Sequence, residues 1–122
     1  MTTTTPPGWP REVRPPDAPG WELSAVAWLL DQCPADYRGY HVLRRHPVVL
    51  ARFAARYVDG ALAASRTAYA TLRADLRDQV EAEVLVDALT ACEREGARLL
   101  ATQRAVGLVE EALRGKRFVP RL

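Results

Sequence analysis

The stretch PVVLARFAARYVDGALAASRTAYATLRADLRD, residues 47–78, repeats an apolar residue at every third or fourth position. This spacing puts the apolar side chains on one face of an α-helix. Pro47 suits the first turn of a helix and holds His46 in an extended conformation, so the helix is predicted to begin at residue 47. A kink or break at Asp59-Gly60 stays open, because glycine inside a helix costs about 1 kcal/mol relative to alanine. The predicted stripe consists of Leu50, Phe53, Ala54, Tyr57, Ala61, Ala64, Ala68, Leu72 and Leu76.

A second long helix is predicted over residues 79–115. Its apolar residues have the same spacing, and Asp78 followed by Glu81 resembles a capping pattern for its first turn. Two helices of about 30 residues, each about 45 Å long, cannot bury their stripes separately. We therefore expect them to pack antiparallel as a hairpin. The alternative is one rod-like helix through Asp78 that hides its apolar face by dimerising as a coiled coil.

The sequence pattern in the N-terminal third of the chain predicts shorter helices. Residues 21–33 have helical periodicity and end at Pro34, and residues 35–45 predict a short helix capped by Asp36. Residues 1–20 contain six of the nine prolines and four consecutive threonines, which predicts a flexible arm. For Trp9 in this arm, docking on the domain or simple exposure is favoured over anchoring a partner.

The predicted fold class is therefore all-α. It is a small helical bundle built on the hairpin, with one or two shorter N-terminal helices and a single domain over residues 21–115. Residues 116–122 are predicted to be a basic tail. The 122 residues and their 48% hydrophobic content suit one such domain. No apolar run approaches the roughly 20 residues of a membrane span, so a cytoplasmic protein without membrane contact is expected.

The two long helices carry opposite charge. Residues 38–77 hold eight arginines against two acids, net +6, whereas residues 78–111 hold eight acids against three arginines, net −5. Folding the hairpin near residue 79 puts acids of the second helix beside arginines at the turn, but puts Arg52 and Arg56 opposite residues 102–106. Glu110 and Glu111 offset only part of the charge at this open end of the hairpin, which is predicted to be basic.

The stretch DYRGYHVLRRHP, residues 36–47, falls at that basic open end. Arginine and aromatic side chains are the anchors that dominate protein interfaces. We therefore predict a partner-binding surface formed by this stretch and by the first turns of the long helix. Its predicted residues are Tyr37, Arg38, Tyr40, Arg44, Arg45, His46, Arg52 and Arg56.

Catalysis and metal binding would have to involve Cys33, His41 and His46. Their C-x7-H-x4-H spacing matches no zinc module with paired ligands two to four residues apart. A cysteine nucleophile would need Cys33 to meet His41 and Asp31. The sequence also has no glycine-rich phosphate loop and no H-E-x-x-H motif. We therefore predict no enzymatic activity, no cofactor and no metal, with Cys33 and Cys92 as free core side chains.

Two classes of function remain. The favoured prediction is a protein-protein interaction or adaptor module that binds an acidic surface of another protein. The alternative is a nucleic-acid-binding protein that uses the same basic surface with stacking tyrosines. A net charge of only +2 weighs against it, because duplex binding usually requires a wider basic face. A homodimer stays open as a further alternative.

Overall fold

The computed structural model describes residues 4–121, and these residues form helices without any strand. Helix α1 spans Trp21–Asp31, α2 spans His41–Arg45, α3 spans Pro47–Leu76 and α4 spans Ala82–Leu113; a 3-10 turn at Ala35–Gly39 joins α1 to α2. Helices α3 and α4 pack against each other as an antiparallel hairpin, which confirms the predicted all-α helical hairpin bundle. In the part of the chain that the structure describes, no helix is long and apolar enough to cross a membrane.

Helix α3 begins at Pro47, as predicted, and runs unbroken through Asp59 and Gly60. The Asp59 carboxylate contributes to the hairpin, since Gln103 Nε2 donates a hydrogen bond to Asp59 Oδ1 at 2.9 Å. A second hydrogen bond joins the helices further along, where Tyr69 Oη donates to Glu93 Oε1 at 3.2 Å. The packing of α3 against α4 therefore stabilises the helix by more than the roughly 1 kcal/mol that Gly60 costs in helix propensity.

The start of α4 differs from the prediction. The capping pattern at Asp78 is not used: Glu81 is the N-cap residue, with φ −64° and ψ 154°, and no side chain caps the first turn. Tyr69 and Glu93 lie equally far from residue 81, so the hairpin is centred there and not near residue 79. This change moves the residue opposite any position on α3 by about one helical turn. As a result Arg52 meets Glu110, and the prediction that it faces residues 102–106 is wrong.

Helix α4 ends with Arg114 as its C-cap residue, followed by Gly115. Gly115 has φ +103°, a left-handed conformation that residues with a Cβ rarely adopt. The Lys116 N–H donates to the Glu111 carbonyl and the Gly115 N–H to the Ala112 carbonyl, each at 3.0 Å, which satisfies two carbonyls of the last turn. The turn redirects the chain towards the N-terminal segment.

The hydrophobic core lies at the open end of the hairpin, under α1 and α2. Six large side chains there are essentially inaccessible: Leu29, Leu43, Leu50, Val58, Val106 and Val109. Leu43 anchors the short helix α2, because it is the buried residue between exposed neighbours. Beyond Val58 on α3 and before Ala105 on α4, only Leu62, Leu89 and Leu99 are buried, so the far half of the hairpin has a thin core.

Over residues 4–20, the N-terminal segment is not the predicted flexible arm; residues 1–3 of that prediction lie outside the described residues. Val13 is 3% exposed and belongs to the core, and Trp9 packs against that core while its Nε1 donates to the Val13 carbonyl at 2.9 Å. Three turns, each closed by a hydrogen bond to a proline carbonyl, shape the segment: Pro6 to Trp9, Pro10 to Val13 and Pro15 to Ala18. Because proline has few conformations to lose, such turns order the chain at a small entropic cost. Trp9 is therefore docked on the domain, which was one of the alternatives predicted for it.

Part of the predicted basic tail, residues 116–122, is held against the rest of the chain by hydrogen bonds of Arg117. Arg117 donates to both carboxylate oxygens of Asp17, at 2.8 and 2.9 Å, and to the Ala112 carbonyl at 2.8 Å. Its guanidinium lies 5.6 Å from the centre of the Trp21 ring and lowers the pKa of the Asp17 carboxyl by hydrogen bonding. Arg117 thus fastens the C-terminal segment to the N-terminal one.

Candidate partner-binding site

Four aromatic rings cluster on the surface at the open end of the hairpin. Tyr37 stands at the centre, with its ring centroid 6.3 Å from that of Tyr40, 6.0 Å from Phe53 and 6.3 Å from Tyr57. These separations and the tilted or edge-on ring planes are those that aromatic pairs prefer. Tyr37 is half-buried, whereas Tyr40, Phe53 and Tyr57 are 54%, 47% and 43% exposed. The rings of the cluster pack against one another while much of their surface stays in water.

Phe53 and Tyr57 belong to this cluster because other residues form the face of α3 that packs against the core. Leu50, Ala54 and Val58 are buried against the core. Phe53 and Tyr57, one turn apart on α3, are displaced from that face and meet Tyr37 of the 3-10 turn. Their assignment to the hairpin stripe is therefore wrong. The signal in the sequence was the row Val49, Phe53 and Tyr57, which has its own four-residue spacing beside the buried row.

Two predicted arginines flank the rings. Arg52 and Arg56 line a shallow groove of about 400 Å³ together with Tyr37, Phe53 and Tyr57. Arg52 Nη2 lies 3.3 Å from Glu110 Oε1, whereas Arg56 has no ion pair within residues 4–121. We call these two arginines and the four rings the aromatic-basic surface.

Glu110 is the buried acid behind this surface. It is 7% exposed, and its other oxygen, Oε2, accepts hydrogen bonds from Arg114 Nη2 at 2.9 Å and Nε at 3.2 Å. One carboxylate thus lies between Arg52 and Arg114, and the local charge stays positive. Side chains held in this way lose less conformational entropy when a partner binds.

Arg38 has a structural role that the sequence did not indicate. Its guanidinium forms an ion pair with Asp31 and donates to the Leu30 carbonyl at 3.5 Å. Both acceptors lie at the C-terminal end of α1, where the helix dipole favours a cation, and the Leu30 carbonyl also accepts the Cys33 N–H at 3.1 Å. Arg38 therefore caps α1 and is less available to a partner than the other predicted arginines.

Arg44, Arg45 and His46 lie on or just after α2, at the same end of the hairpin. All three are exposed, and within residues 4–121 neither arginine forms an ion pair. The His46 carbonyl accepts the Leu50 N–H at 3.1 Å, so His46 joins α2 to α3. Their backbone is fixed by the buried Leu43. No ring contact connects the three residues to the aromatic cluster in the described chain.

The Cys33 thiol is poorly suited to nucleophilic chemistry. Burial raises its pKa to about 11, although Arg38 opposes the shift. At neutral pH the thiol is therefore protonated, whereas a reactive cysteine needs a substantial thiolate fraction. Asp31, the acid considered for a triad, is paired with Arg38. Among residues 4–121, no group of three histidine, cysteine or acidic side chains could hold a metal ion.

A second cleft, of about 390 Å³, lies between the N-terminal segment and the C-terminal end of the chain. Trp9, Leu108 and Phe118 are among its apolar lining residues. Its charged residues are already paired within the chain, since Arg117 binds Asp17 and Lys116 Nζ lies 3.2 Å from Glu111. It therefore offers less to a charged partner than the aromatic-basic surface does.

The comparisons with known proteins do not assign the chain to a family. No family model matches it, and neither the curated proteins nor the solved structures contain a match. The functional argument therefore rests on the geometry of this chain alone.

Proposed function

We propose that the protein is a non-enzymatic, cytoplasmic interaction module that binds an acidic surface of another protein through its aromatic-basic surface. The observation that carries the proposal is the exposure of Tyr40, Phe53 and Tyr57, 43% to 54%, within one packed cluster. Exposed apolar groups gathered in a patch with a polar rim are typical of interaction sites. Aromatic and arginine side chains also dominate the binding energy at such sites.

The surface favours a partner with a specific chemistry. An apolar or aromatic side chain of the partner would enter the groove between Tyr37, Phe53 and Tyr57. A carboxylate beside it would accept charge-assisted hydrogen bonds from Arg56, which makes no ion pair within the described chain. Arg44 and Arg45 would extend the positive rim.

Nucleic-acid binding is the alternative, because exposed Tyr40 and the arginines would also suit stacked bases and phosphates. Two features disfavour it. The net charge of the chain is only +2, and residues 78–111 carry a net charge of −5 along the neighbouring helix. Binding that depends on phosphate contacts usually needs a continuous basic face.

Affinity capture from a lysate of the native cells tests the proposal against the alternative. We expect wild-type protein to retain the same partner protein with and without nuclease, and the Phe53→Ala variant to lose it. Phe53 is 47% exposed, so this change should leave the fold intact. Capture that disappears after nuclease treatment would support nucleic-acid binding. Equal capture by both forms would show that the aromatic-basic surface is not the site.

A further inference from the structure

The far half of the hairpin has an uncovered face. Helix α1 and the N-terminal segment cover the open end, and the end of α1 reaches a pocket shared with Ala61 and Leu99. Nearer the turn, between Leu62 and Leu99, only Leu89 is buried. Most helical stability in proteins comes from packing an apolar face. The exposed apolar side chains in this half are Tyr69, Val84, Val86 and Leu100.

Two rows of residues lie on one face of this half. On α3, Tyr69 and Leu76 are seven residues apart, in line with the buried Leu62; on α4, Val86, Glu93 and Leu100 have the same spacing. A seven-residue repeat keeps side chains on one side of a helix. The hydrogen bond from Tyr69 to Glu93 joins the two rows, so both belong to the same face. We call this the tip face.

The tip face has exposed apolar side chains and contains a groove. Tyr69, Val86 and Leu100 are 45%, 57% and 45% exposed. A groove of about 230 Å³ runs between the helices and is lined by Ser65, Arg66, Tyr69, Cys92, Glu93 and Gly96. Gly96 lies on the α4 side of the groove, where an added Cβ would be 3.7 Å from Ser65 Oγ, an ordinary van der Waals distance.

Charge on the tip face is divided between its two helices. Arg66 and Arg73 lie on α3, seven residues apart, and Glu93 lies on α4. Within residues 4–121 none of the three forms an ion pair. A face with two arginines on one helix and a glutamate on the other can pair with a copy of itself, as a two-fold interface requires.

We propose that a second copy of this chain covers the tip face and forms a parallel pair of hairpins. A two-fold axis along the hairpin puts α3 of each copy over α4 of the other, so Arg66 faces the partner's Glu93 twice. An arrangement that puts α3 of one copy over α3 of the other would bring arginines of the two copies together and would therefore be repulsive. Tyr69, Val86 and Leu100 become buried in a four-helix bundle, whose interface packs like a coiled coil.

This inference does not rest on the proposed function. The tip face and the aromatic-basic surface share no residue and lie at different ends of the hairpin. A parallel pair of hairpins would present two aromatic-basic surfaces at the same end of the dimer. A partner with two acidic sites would then bind by both, with an affinity raised by effective concentration.

Sedimentation of two charge-reversal variants tests the dimer. We expect wild type to dimerise, and Arg66→Glu or Glu93→Arg alone to weaken dimerisation by at least about tenfold, because each juxtaposes like charges at both contacts. An equimolar mixture of the two variants should recover the dimer. In the mixed dimer the introduced glutamate faces the introduced arginine at one contact, and the native Arg66 faces the native Glu93 at the other. Changes within one chain cannot produce this recovery on mixing.

Two valines provide a matched pair of controls. Val84 and Val86 are 51% and 57% exposed, and residues two apart on a helix point to different sides. Val86→Ser should weaken the dimer, and Val84→Ser should leave it unchanged. A wild-type chain that stays monomeric at about 1 mM would overturn the proposal, since association would then be negligible. So would a mixture of the two charge variants that remains monomeric.

Discussion

Deleting the first 18 residues is expected to destabilise the protein by about 3 kcal/mol or more. Burial of a valine side chain contributes roughly 2 kcal/mol, and the deletion removes Val13 together with the half-buried Trp9. It also leaves Arg117 without Asp17 and exposes core side chains under the segment. For a chain of this size the thermal midpoint should fall by more than about 10 °C.

The measurement is thermal and urea unfolding followed by circular dichroism. Val13→Asp gives a finer test, because it puts a charge where the side chain is 3% exposed, and Arg11→Asp is its control at an exposed position in the same segment. We expect a large loss of stability for the first and a change below about 0.5 kcal/mol for the second. If the deletion and Val13→Asp both leave the midpoint unchanged, the segment is a flexible arm after all.

Reversing Arg44 and Arg45 together to glutamate should abolish partner binding. An arginine in a charge-assisted contact commonly contributes about 2 kcal/mol or more, and reversal adds repulsion from an acidic partner. We expect the affinity to fall by at least about thirtyfold. The fold should persist, because both side chains are exposed and the buried Leu43 still anchors α2.

The matched control reverses Arg77 and Arg94, two exposed arginines remote from the open end. This variant has the same change in net charge, so long-range effects on association should be equal in the two. We expect the control to bind within a few fold of wild type. Equal losses in both variants would mean that net charge, and not the position of Arg44 and Arg45, governs the binding.

The hairpin itself could be predicted because its signal is long. The apolar repeat extends over both α3 and α4, and Pro47 marks the start of α3. The position of the turn between the two helices was predicted less accurately, because residues 77–81 contain neither glycine nor proline. An error of two residues in the turn shifts the facing residues by four, and this is why Glu110 was not matched to Arg52.

The N-terminal segment shows where composition misleads. Its prolines and threonines are typical of disordered arms, and such arms lack apolar side chains to bury. Trp9, Val13 and Ala18 are the exceptions, and all three pack on the core. Whether they are enough depends on the surface that receives them, and part of that surface is Leu108 of α4, far away in the sequence.

The candidate site was predicted in part. Tyr37, Tyr40, Arg52 and Arg56 come together as expected for one surface. Arg38 instead caps α1, and Phe53 was missed, because its spacing fits the buried stripe almost as well as an exposed row. When a helix has two adjacent rows of apolar residues, one row is buried and the other is exposed. Which row is buried depends on the element that packs against the helix, and the spacing alone does not show it.

The most direct test of the central claim is a titration of the captured partner against wild type and Phe53→Ala at about 50 and 200 mM salt, the range over which phosphate contacts lose about a thousandfold or more in affinity. Binding anchored by the exposed rings should weaken only modestly with salt in the wild type. It should be at least about tenfold weaker in Phe53→Ala at both salt concentrations. A steep salt dependence, or equal affinities for the two forms, would contradict protein recognition by the aromatic-basic surface.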